Sequence, residues 1–252
     1  MKRKIIVGNW KMNPTTLSEA VNLFKKVKNT AQRLAHTHVI VCPPFPYITK
    51  FTSSTAKPSV GIGAQNAFFE ERGAFTGEVS PVMLRDLGVS HVIIGHSERR
   101  AEGESDEIVA KKVQAVLESG IHPIVCVGEK DRDAHGLYLD ILRIQIKNSL
   151  AMIPKRLANQ LVIAYEPVWA IGSKEPMEPA VIEETVIFIR KILADIFGQE
   201  NALRTVILYG GSINFRNAPD IIIRGKVDGL LVGGESVNIP GFTELLKAVD
   251  VV

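Results

Sequence analysis

Short apolar runs rich in valine and isoleucine recur along the chain, and longer polar segments separate them. Near-continuous apolar runs of this length are typical of strands that are covered on both faces of a parallel sheet. We therefore predict one strand from each run. The runs are Ile5–Gly8, His38–Cys42, Val60–Ala64, His91–Gly95, His122–Gly128, Leu161–Tyr165, Thr205–Tyr209 and Gly229–Gly233.

Apolar residues with helical spacing mark the segments between these runs. In the first segment, Leu17, Val21 and Phe24 fall on one helical face, opposite a group of lysines. Four further helices are predicted at Ile108–Leu117, Tyr138–Leu150, Ile182–Phe197 and Phe242–Val249. Strands and helices that alternate at intervals of roughly 30 residues indicate βαβ units and a parallel sheet.

Eight such units without a large insertion favour an α/β fold of the closed (β/α)8 barrel type over an open doubly wound sheet. No proline- or serine-rich linker interrupts the pattern, so we predict a single domain over residues 1–252. The amphipathic stretch Val186–Phe197 has a second interpretation, as a helix that lies on a membrane surface. Its charges are few and of both signs, which favours packing on the barrel wall.

Polar residues collect where the predicted strands end. Asn9 and Lys11 follow the first run, His96 follows the fourth, and Glu166 follows the sixth. In a parallel barrel all strands deliver their carboxyl ends to one face, which carries the chemistry. Each residue also has an ordinary explanation, since a lone lysine is commonly a surface charge and a histidine is commonly a structural group. Together they predict a site with one cation, one imidazole and one carboxylate.

Two double-glycine turns follow the seventh and eighth runs, as Gly210-Gly211-Ser212 and Gly233-Gly234-Glu235-Ser236. A double glycine alone is most often a tight turn, but glycine also lets a backbone approach a ligand closely. We predict that helices begin at Ser212 and Ser236, where free N–H groups would face an anion. The loops after strands seven and eight are the recurrent phosphate site of such barrels. A phosphate-bearing ligand is therefore expected.

Several motifs resemble those of the triosephosphate isomerase family, and they occur in that family's order over the whole chain. The motifs are Gly8-Asn9-Trp10-Lys11-Met12-Asn13, Gly63-Ala64-Gln65-Asn66, Gly73-Ala74-Phe75-Thr76-Gly77-Glu78, Gly95-His96-Ser97-Glu98-Arg99-Arg100, Ala164-Tyr165-Glu166-Pro167-Val168-Trp169-Ala170-Ile171-Gly172, Tyr209-Gly210-Gly211-Ser212 and Leu231-Val232-Gly233-Gly234. The resemblance implies a TIM barrel that interconverts dihydroxyacetone phosphate and D-glyceraldehyde 3-phosphate in glycolysis and gluconeogenesis. It also implies that the reaction uses no metal and no cofactor.

The resemblance implies a role for each polar residue at the strand ends. Glu166 is expected to be the base that moves a proton between two adjacent carbons through an enediolate, a task that suits the two oxygens of a carboxylate. His96 is expected to polarise the carbonyl oxygen, with a short helix behind it that favours the neutral imidazole. Lys11 would supply positive charge, and Asn9 would supply a further polar contact. Glu98 would pair with Lys11, or would serve only as a carboxylate at a helix start.

The phosphate is implied to bind the backbone N–H groups of Gly172, Ser212, Gly233 and Gly234. The segment from Val168 to Met177 resembles the family's closing lid. Such a lid excludes water, which matters because an exposed enediolate could expel its phosphate.

Two segments depart from the family's pattern. The lid usually continues Gly-Thr-Gly-Lys, whereas this chain has Gly172-Ser173-Lys174-Glu175-Pro176-Met177. Lys174 stands where the family has a glycine, and Pro176 fixes φ near the second hinge, so we expect altered lid closure with unaltered chemistry. The stretch 101–104 is one residue shorter than usual and lacks the customary aromatic residue.

The longest stretch without periodicity is Gln65–Ser80. A loop this long inside a compact domain usually has a function. It resembles the family's interdigitating loop, which docks beside the active site of a partner subunit with Thr76 near its tip. The resemblance therefore implies a homodimer.

The charge of the chain is balanced, with 30 Lys+Arg against 27 Asp+Glu, and the basic residues are scattered among acidic ones. A nucleic-acid binder concentrates its basic residues, so no nucleic-acid partner is expected. No apolar stretch approaches ~18 residues, so no membrane span is expected. The basic start is followed by an apolar run too short for a signal-peptide core. These features predict a cytoplasmic protein.

Only two cysteines occur, Cys42 and Cys126, and each lies within an apolar run. Two thiols in a chain of this length form no disulfide framework, and neither has metal-ligand spacing. Buried thiols in a reducing compartment are therefore expected.

Two other functions remain open from the sequence. One is an isomerase of a longer sugar phosphate or an amino-sugar phosphate on the same barrel. The short lid and the set Glu166, His96 and Lys11 argue against it. The other is a non-catalytic phosphate-binding protein, which would be expected to lack one of these three residues.

Overall fold

A computed structural model describes residues 3–52, 59–133, 135–172 and 177–252 of the chain. Within them, parallel strands close into a barrel in the order of the sequence. The strands are β1 Lys4–Asn9, β2 Thr37–Cys42, β3 Val60–Ala64, β4 His91–Ile94, β5 His122–Val127, β6 Val162–Tyr165, β7 Val206–Tyr209 and β8 Gly229–Val232. All the predicted strands are confirmed, with no end displaced by more than one residue. The fold is a (β/α)8 barrel.

Helices connect the strands and cover the outside of the barrel. They are α1 Leu17–Ala31, α2 Phe45–Phe51, α3 Pro81–Asp86, α4 Ser97–Ala101, α5 Asp106–Glu118, α6 Leu137–Ser149, α7 Pro179–Phe197, α8 Gln199–Arg204, α9 Ala218–Arg224 and α10 Ile239–Asp250. Short 3₁₀ turns lie at Lys155–Gln160, Val168–Ala170 and Gly234–Val237. The predicted helices correspond to α1, α5, α6, α7 and α10. The predicted short helix behind His96 is α4.

The buried face of α1 differs from the predicted one. Leu17 and Val21 are exposed, and only Phe24 of the predicted face is partly buried, where it stacks on Phe51 with ring centroids 4.4 Å apart. The residues that pack on the barrel are Ala20, Leu23, Val27 and Ala31. Both sets of residues have helical spacing, so local periodicity could not distinguish them.

The inner face of the barrel is packed with small and branched side chains. Its buried residues are Val7, Ile40, Cys42, Ile93, Ile124, Cys126, Val162, Ala164, Leu208 and Leu231. Cys42 and Cys126 are free and buried, which confirms the predicted buried thiols. Burial raises the pKa of both thiols well above the usual range, and therefore they stay protonated.

The stretch Val186–Phe197 forms the second half of α7. Its residues Ile189, Ile192 and Leu193 are buried against the rest of the fold, which confirms that this helix packs on the barrel wall. Among the described residues, no helix has both the length and the apolar character that a membrane crossing requires.

Candidate active site

The predicted site residues meet at the carboxyl ends of the strands. A cavity of about 330 Å³ opens there. Among its lining residues are Asn9, Lys11, His96, Glu166, Gly172, Ser212, Gly233 and Gly234. Glu98 does not line this cavity, and it lies instead in an adjoining one that shares Lys11 and His96. One cation, one imidazole and one carboxylate therefore share a single pocket.

The turn after β1 fixes the lysine in an unusual backbone conformation. Lys11 has φ of 53°, in the left-handed region that side chains other than glycine rarely adopt. Its N–H donates to Oδ1 of the buried Asn9 at 3.0 Å. Gln65 Nε2 donates to the carbonyl oxygens of Lys11 and Cys42 at 2.8 and 2.9 Å. Gln65 thus supports the backbone of Lys11. The sequence places Gln65 directly after the predicted strand Val60–Ala64, but it did not indicate this role.

The ammonium group of Lys11 is paired. Its Nζ donates to Glu98 Oε1 at 2.5 Å. Glu98 also lies in the first turn of α4, so it is a carboxylate at a helix start that is paired with Lys11 as well. The side chain of Glu98 is 58% exposed, and solvent therefore weakens the attraction between the two charges.

His96 is oriented by a hydrogen bond to one of its ring nitrogens. It caps the N-terminus of α4, where its Nδ1 accepts a hydrogen bond from Glu98 N–H at 3.3 Å. A ring nitrogen that accepts carries no proton, so Nε2 is the nitrogen of His96 that can donate. Nε2 lies 3.2 Å from Glu166 Oε1.

Glu166 is a buried carboxylate directly after β6. Its backbone N–H donates to Val127 O at 2.8 Å, and its Oε2 accepts from Ser97 N–H at 3.3 Å. Gly128 and Gly210, which directly follow the two neighbouring strands, leave room for it. A Cβ at Gly128 would collide with the carbonyl oxygen of Glu166, and one at Gly210 would lie 2.9 Å from its Cγ. Gly210 was predicted only as part of a turn, and the space that the two glycines leave for Glu166 was not predicted, because a close approach between strands is not visible in the sequence.

The double-glycine turns line the other side of the pocket. Gly234 begins the 3₁₀ turn Gly234–Val237, so N–H groups at the end of β8 face the cavity. A Cβ at Gly233 would lie 3.3 Å from Lys11 Cε, and glycine therefore allows the lysine to cross this turn. The anion-binding character predicted for this end of the pocket is consistent with that geometry.

The predicted helix starts at Ser212 and Ser236 are wrong. After β7 the chain continues through a loop in which Asn217 Oδ1 accepts from Asn214 N–H at 2.8 Å, and α9 begins only at Ala218. Ser236 lies inside the 3₁₀ turn, and its hydroxyl donates to Asn9 O at 3.1 Å. The local hydrogen bond between Asn214 and Asn217 competes with helix formation after β7, whereas the Ser236 hydroxyl is used in a long-range contact with the end of β1.

Comparisons with known proteins agree with this geometry. A family model described as "Triosephosphate isomerase" matches residues 4–249. A curated relative from Endomicrobium trichonymphae, named triosephosphate isomerase, is 44% identical to this chain over 98% of the chain and 99% of the relative. The relative of the same name from Dehalococcoides mccartyi is 44% identical, over 100% of this chain and 99% of the relative. The one from Carboxydothermus hydrogenoformans is 41% identical, over 98% of this chain and 99% of the relative.

The chain belongs to the triosephosphate isomerase family. Membership makes it an isomerase of triose phosphates, and the family acts in glycolysis. Among the described residues, no group of three histidine, cysteine, aspartate or glutamate side chains is arranged to hold a metal ion.

The segment that resembles the triosephosphate isomerase lid, Val168–Met177, is described at its two ends. At the first end, Trp169 Nε1 donates to Oε1 of the buried Glu129 at 3.1 Å. The predicted effects of Lys174 and Pro176 on closure fall on residues that lie outside the described ones.

The stretch 101–104, which we expected to depart from the triosephosphate isomerase pattern, is anchored by ion pairs. Buried Glu104 accepts from Lys112 Nζ at 2.5 Å and from Arg99 Nε at 3.0 Å. Burial alone would raise the pKa of Glu104, but Lys112 and Arg99 bring it below the usual value. The end of α4 is thereby tied to α5.

Proposed function

We propose that Glu166 is the catalytic base in the interconversion of dihydroxyacetone phosphate and D-glyceraldehyde 3-phosphate. The carboxylate would take a proton from the carbon beside the carbonyl and return it to the neighbouring carbon. Two features of the site support this role. The carboxylate is buried. In addition, each of its oxygens has a neighbouring protein group, since Oε2 accepts from the amide of Ser97 and Oε1 lies beside the ring of His96.

His96 is proposed to stabilise the enediolate. The observation that carries this proposal is the hydrogen bond from Glu98 N–H to Nδ1, because it leaves the ring proton on Nε2. An Nε2–H donor can form a hydrogen bond with the oxyanion that develops as the proton leaves carbon. Lys11 Nζ and the amide of Asn9 line the same pocket and would add positive charge and a polar contact to the same oxygen or to the phosphate.

The phosphate is proposed to bind the backbone N–H groups of Gly172, Ser212, Gly233 and Gly234. All four residues line the pocket that Lys11, His96 and Glu166 also line. No metal or cofactor is invoked in this mechanism, because a buried carboxylate and a neutral imidazole suffice for the proton transfer.

Proton transfer through a carboxylate base, the role proposed for Glu166, can be tested by carrying out the isomerisation in D2O, because the transferred proton can then be replaced by deuterium. A proton held on a carboxylic acid can exchange with solvent before it returns to carbon. The product is therefore expected to carry deuterium at the carbon that receives the proton, as read by NMR. A product without deuterium in any molecule would contradict the exchange of the transferred proton with solvent and would favour a direct hydride shift. A mixture incubated without enzyme is the control.

A homodimer through the loop Gln65–Ser80 is also proposed. Phe68 N–H donates to Val79 O at 2.8 Å, which closes the base of the loop. Near its tip Thr76 is exposed, and the adjacent Phe75 is 43% exposed. An exposed aromatic beside a small polar residue suits insertion into a second subunit.

The dimer predicts a solution mass of about twice the chain mass of 27.6 kDa. Light scattering coupled to size exclusion measures it directly. Thr76→Arg is expected to shift the mass towards that of one chain, since a long charged side chain would be forced into the contact. A wild-type mass of one chain at every concentration would contradict the dimer.

The remaining expectations are proposals of the same kind. The whole chain, 1–252, is proposed to form one domain, since the barrel runs from β1 to β8 without a separate unit in the described residues. A cytoplasmic location, a part in gluconeogenesis and the absence of a nucleic-acid partner follow from the family and from the balanced charge.

A further inference from the structure

Three histidines lie at the amino-terminal mouth of the barrel, opposite the active site. His38 is on β2, and His91 and His122 are the first residues of β4 and β5. Each precedes by two positions an isoleucine of the inner face, namely Ile40, Ile93 and Ile124. Because side chains two apart on a strand point to the same side, the three imidazoles face the inside of the barrel. Branched apolar residues usually dominate the inside of such a barrel.

Two of these imidazoles form a close pair. His91 and His122 are register partners on adjacent parallel strands. Their ring centroids are 5.2 Å apart, and their planes differ by 28°. Two imidazoles that bind one tetrahedral ion through Nε2, at about 2.0–2.1 Å each, have ring centres about 5 Å apart. The observed centroid separation matches that spacing, and the small angle between the ring planes is that of stacked rings.

The hydrogen bonds of the pair fix which ring nitrogen is free. The hydroxyl of Ser90 donates to Ile62 O at 3.1 Å, so the Ser90 oxygen accepts the proton of His91 Nδ1 at 2.9 Å. His122 Nδ1 lies 3.1 Å from Gln160 O, which can only accept, so this Nδ1 also carries the proton. Both Nε2 atoms are left with a lone pair. Donation of the second ring nitrogen to an oxygen is the usual support of a metal-binding histidine.

We propose that His91 and His122 bind a divalent transition-metal ion, of the zinc, nickel and copper class, through their Nε2 atoms. Imidazole nitrogens suit these ions, whereas magnesium and calcium prefer oxygen ligands. His122 is exposed, so an ion can reach the pair from solvent. Since no third histidine, cysteine or carboxylate of the described residues completes such a group, water would fill the other positions.

Burial and neighbouring charges act on the imidazoles at this mouth of the barrel. Burial, assisted by the nearby His122 and His38, lowers the pKa of His91 to about 3. Burial and then the positive charge of Arg3 lower the pKa of His38. The charge of Arg3 makes the His38 side of the mouth less suitable for a cation.

The proposal is tested by calorimetric titration of the EDTA-treated and desalted protein with Zn²⁺ near neutral pH. One Zn²⁺ per chain is expected, and Mg²⁺ is expected not to bind. His122→Gln and His91→Gln should each weaken the affinity by more than about tenfold, because each removes a direct ligand. His135→Gln removes an exposed histidine elsewhere and should leave the affinity unchanged.

Two results would overturn the proposal. One is the absence of Zn²⁺ binding to the wild type, and the other is binding that survives both substitutions at the pair, which would locate the ion elsewhere. His122→Gln is the safer variant, since His122 is exposed and its replacement leaves the core intact. Electron paramagnetic resonance of bound Cu²⁺ gives an independent readout, in which this variant should lose one nitrogen ligand.

Discussion

Glu166→Gln is expected to lower kcat by about 10²–10⁴-fold, the usual contribution of a general base. Glutamine has the same shape and can still accept from Ser97 N–H through its amide oxygen, and its NH2 group then lies at the position of Oε1, beside His96 Nε2. It cannot take a proton from carbon, and therefore the loss should fall on kcat with little change in KM. Steady-state rates in both directions measure the effect.

A matched control is Glu244→Gln, which makes the same chemical change at an exposed ion pair with Lys247 on α10. This control should retain the wild-type rate, since an exposed pair contributes little to stability and lies outside the pocket. If Glu166→Gln also retained the wild-type rate, another residue would have to be the base.

His96→Asn is expected to lower kcat by about 10²–10³-fold, as does the loss of one oxyanion donor in other enzymes. Asparagine is a good helix N-cap, so its side-chain oxygen can replace Nδ1 as the acceptor of Glu98 N–H. Its shorter amide cannot reach the position of Nε2. The variant therefore separates the capping role of His96 from its role as a donor to the substrate.

The readout for His96→Asn combines the rate with thermal unfolding. The melting temperature should stay close to that of the wild type while the rate falls. A large loss of stability together with the rate would show that His96 acts mainly through α4. His135→Asn, at an exposed histidine outside the pocket, provides the control.

The strands could be predicted from the sequence because burial on both faces leaves a local signal. A run such as Val60–Ala64 is apolar at nearly every position whatever its neighbours are. The face of α1 could not be predicted in the same way. Leu17 and Val21 are as apolar as the buried Leu23, and only the position of the barrel selects between them.

The site was predictable as far as it depends on strand ends. Lys11, His96 and Glu166 each follow a strand, and the barrel brings all strand ends to one face. Contacts between strands, in contrast, leave no pattern in the sequence from which they could be predicted. The support from Gln65 and the space left by Gly210 depend on which atoms approach one another after closure. The same applies to the histidine pair, which depends on the register between β4 and β5.

The central claim is that this barrel isomerises triose phosphates with protein groups alone. The most direct test is the conversion of D-glyceraldehyde 3-phosphate to dihydroxyacetone phosphate by the purified wild-type chain in the presence of EDTA. Rapid turnover that EDTA does not reduce is the predicted result. A folded protein that binds the substrate without turning it over would contradict the account and would favour a non-catalytic phosphate-binding protein.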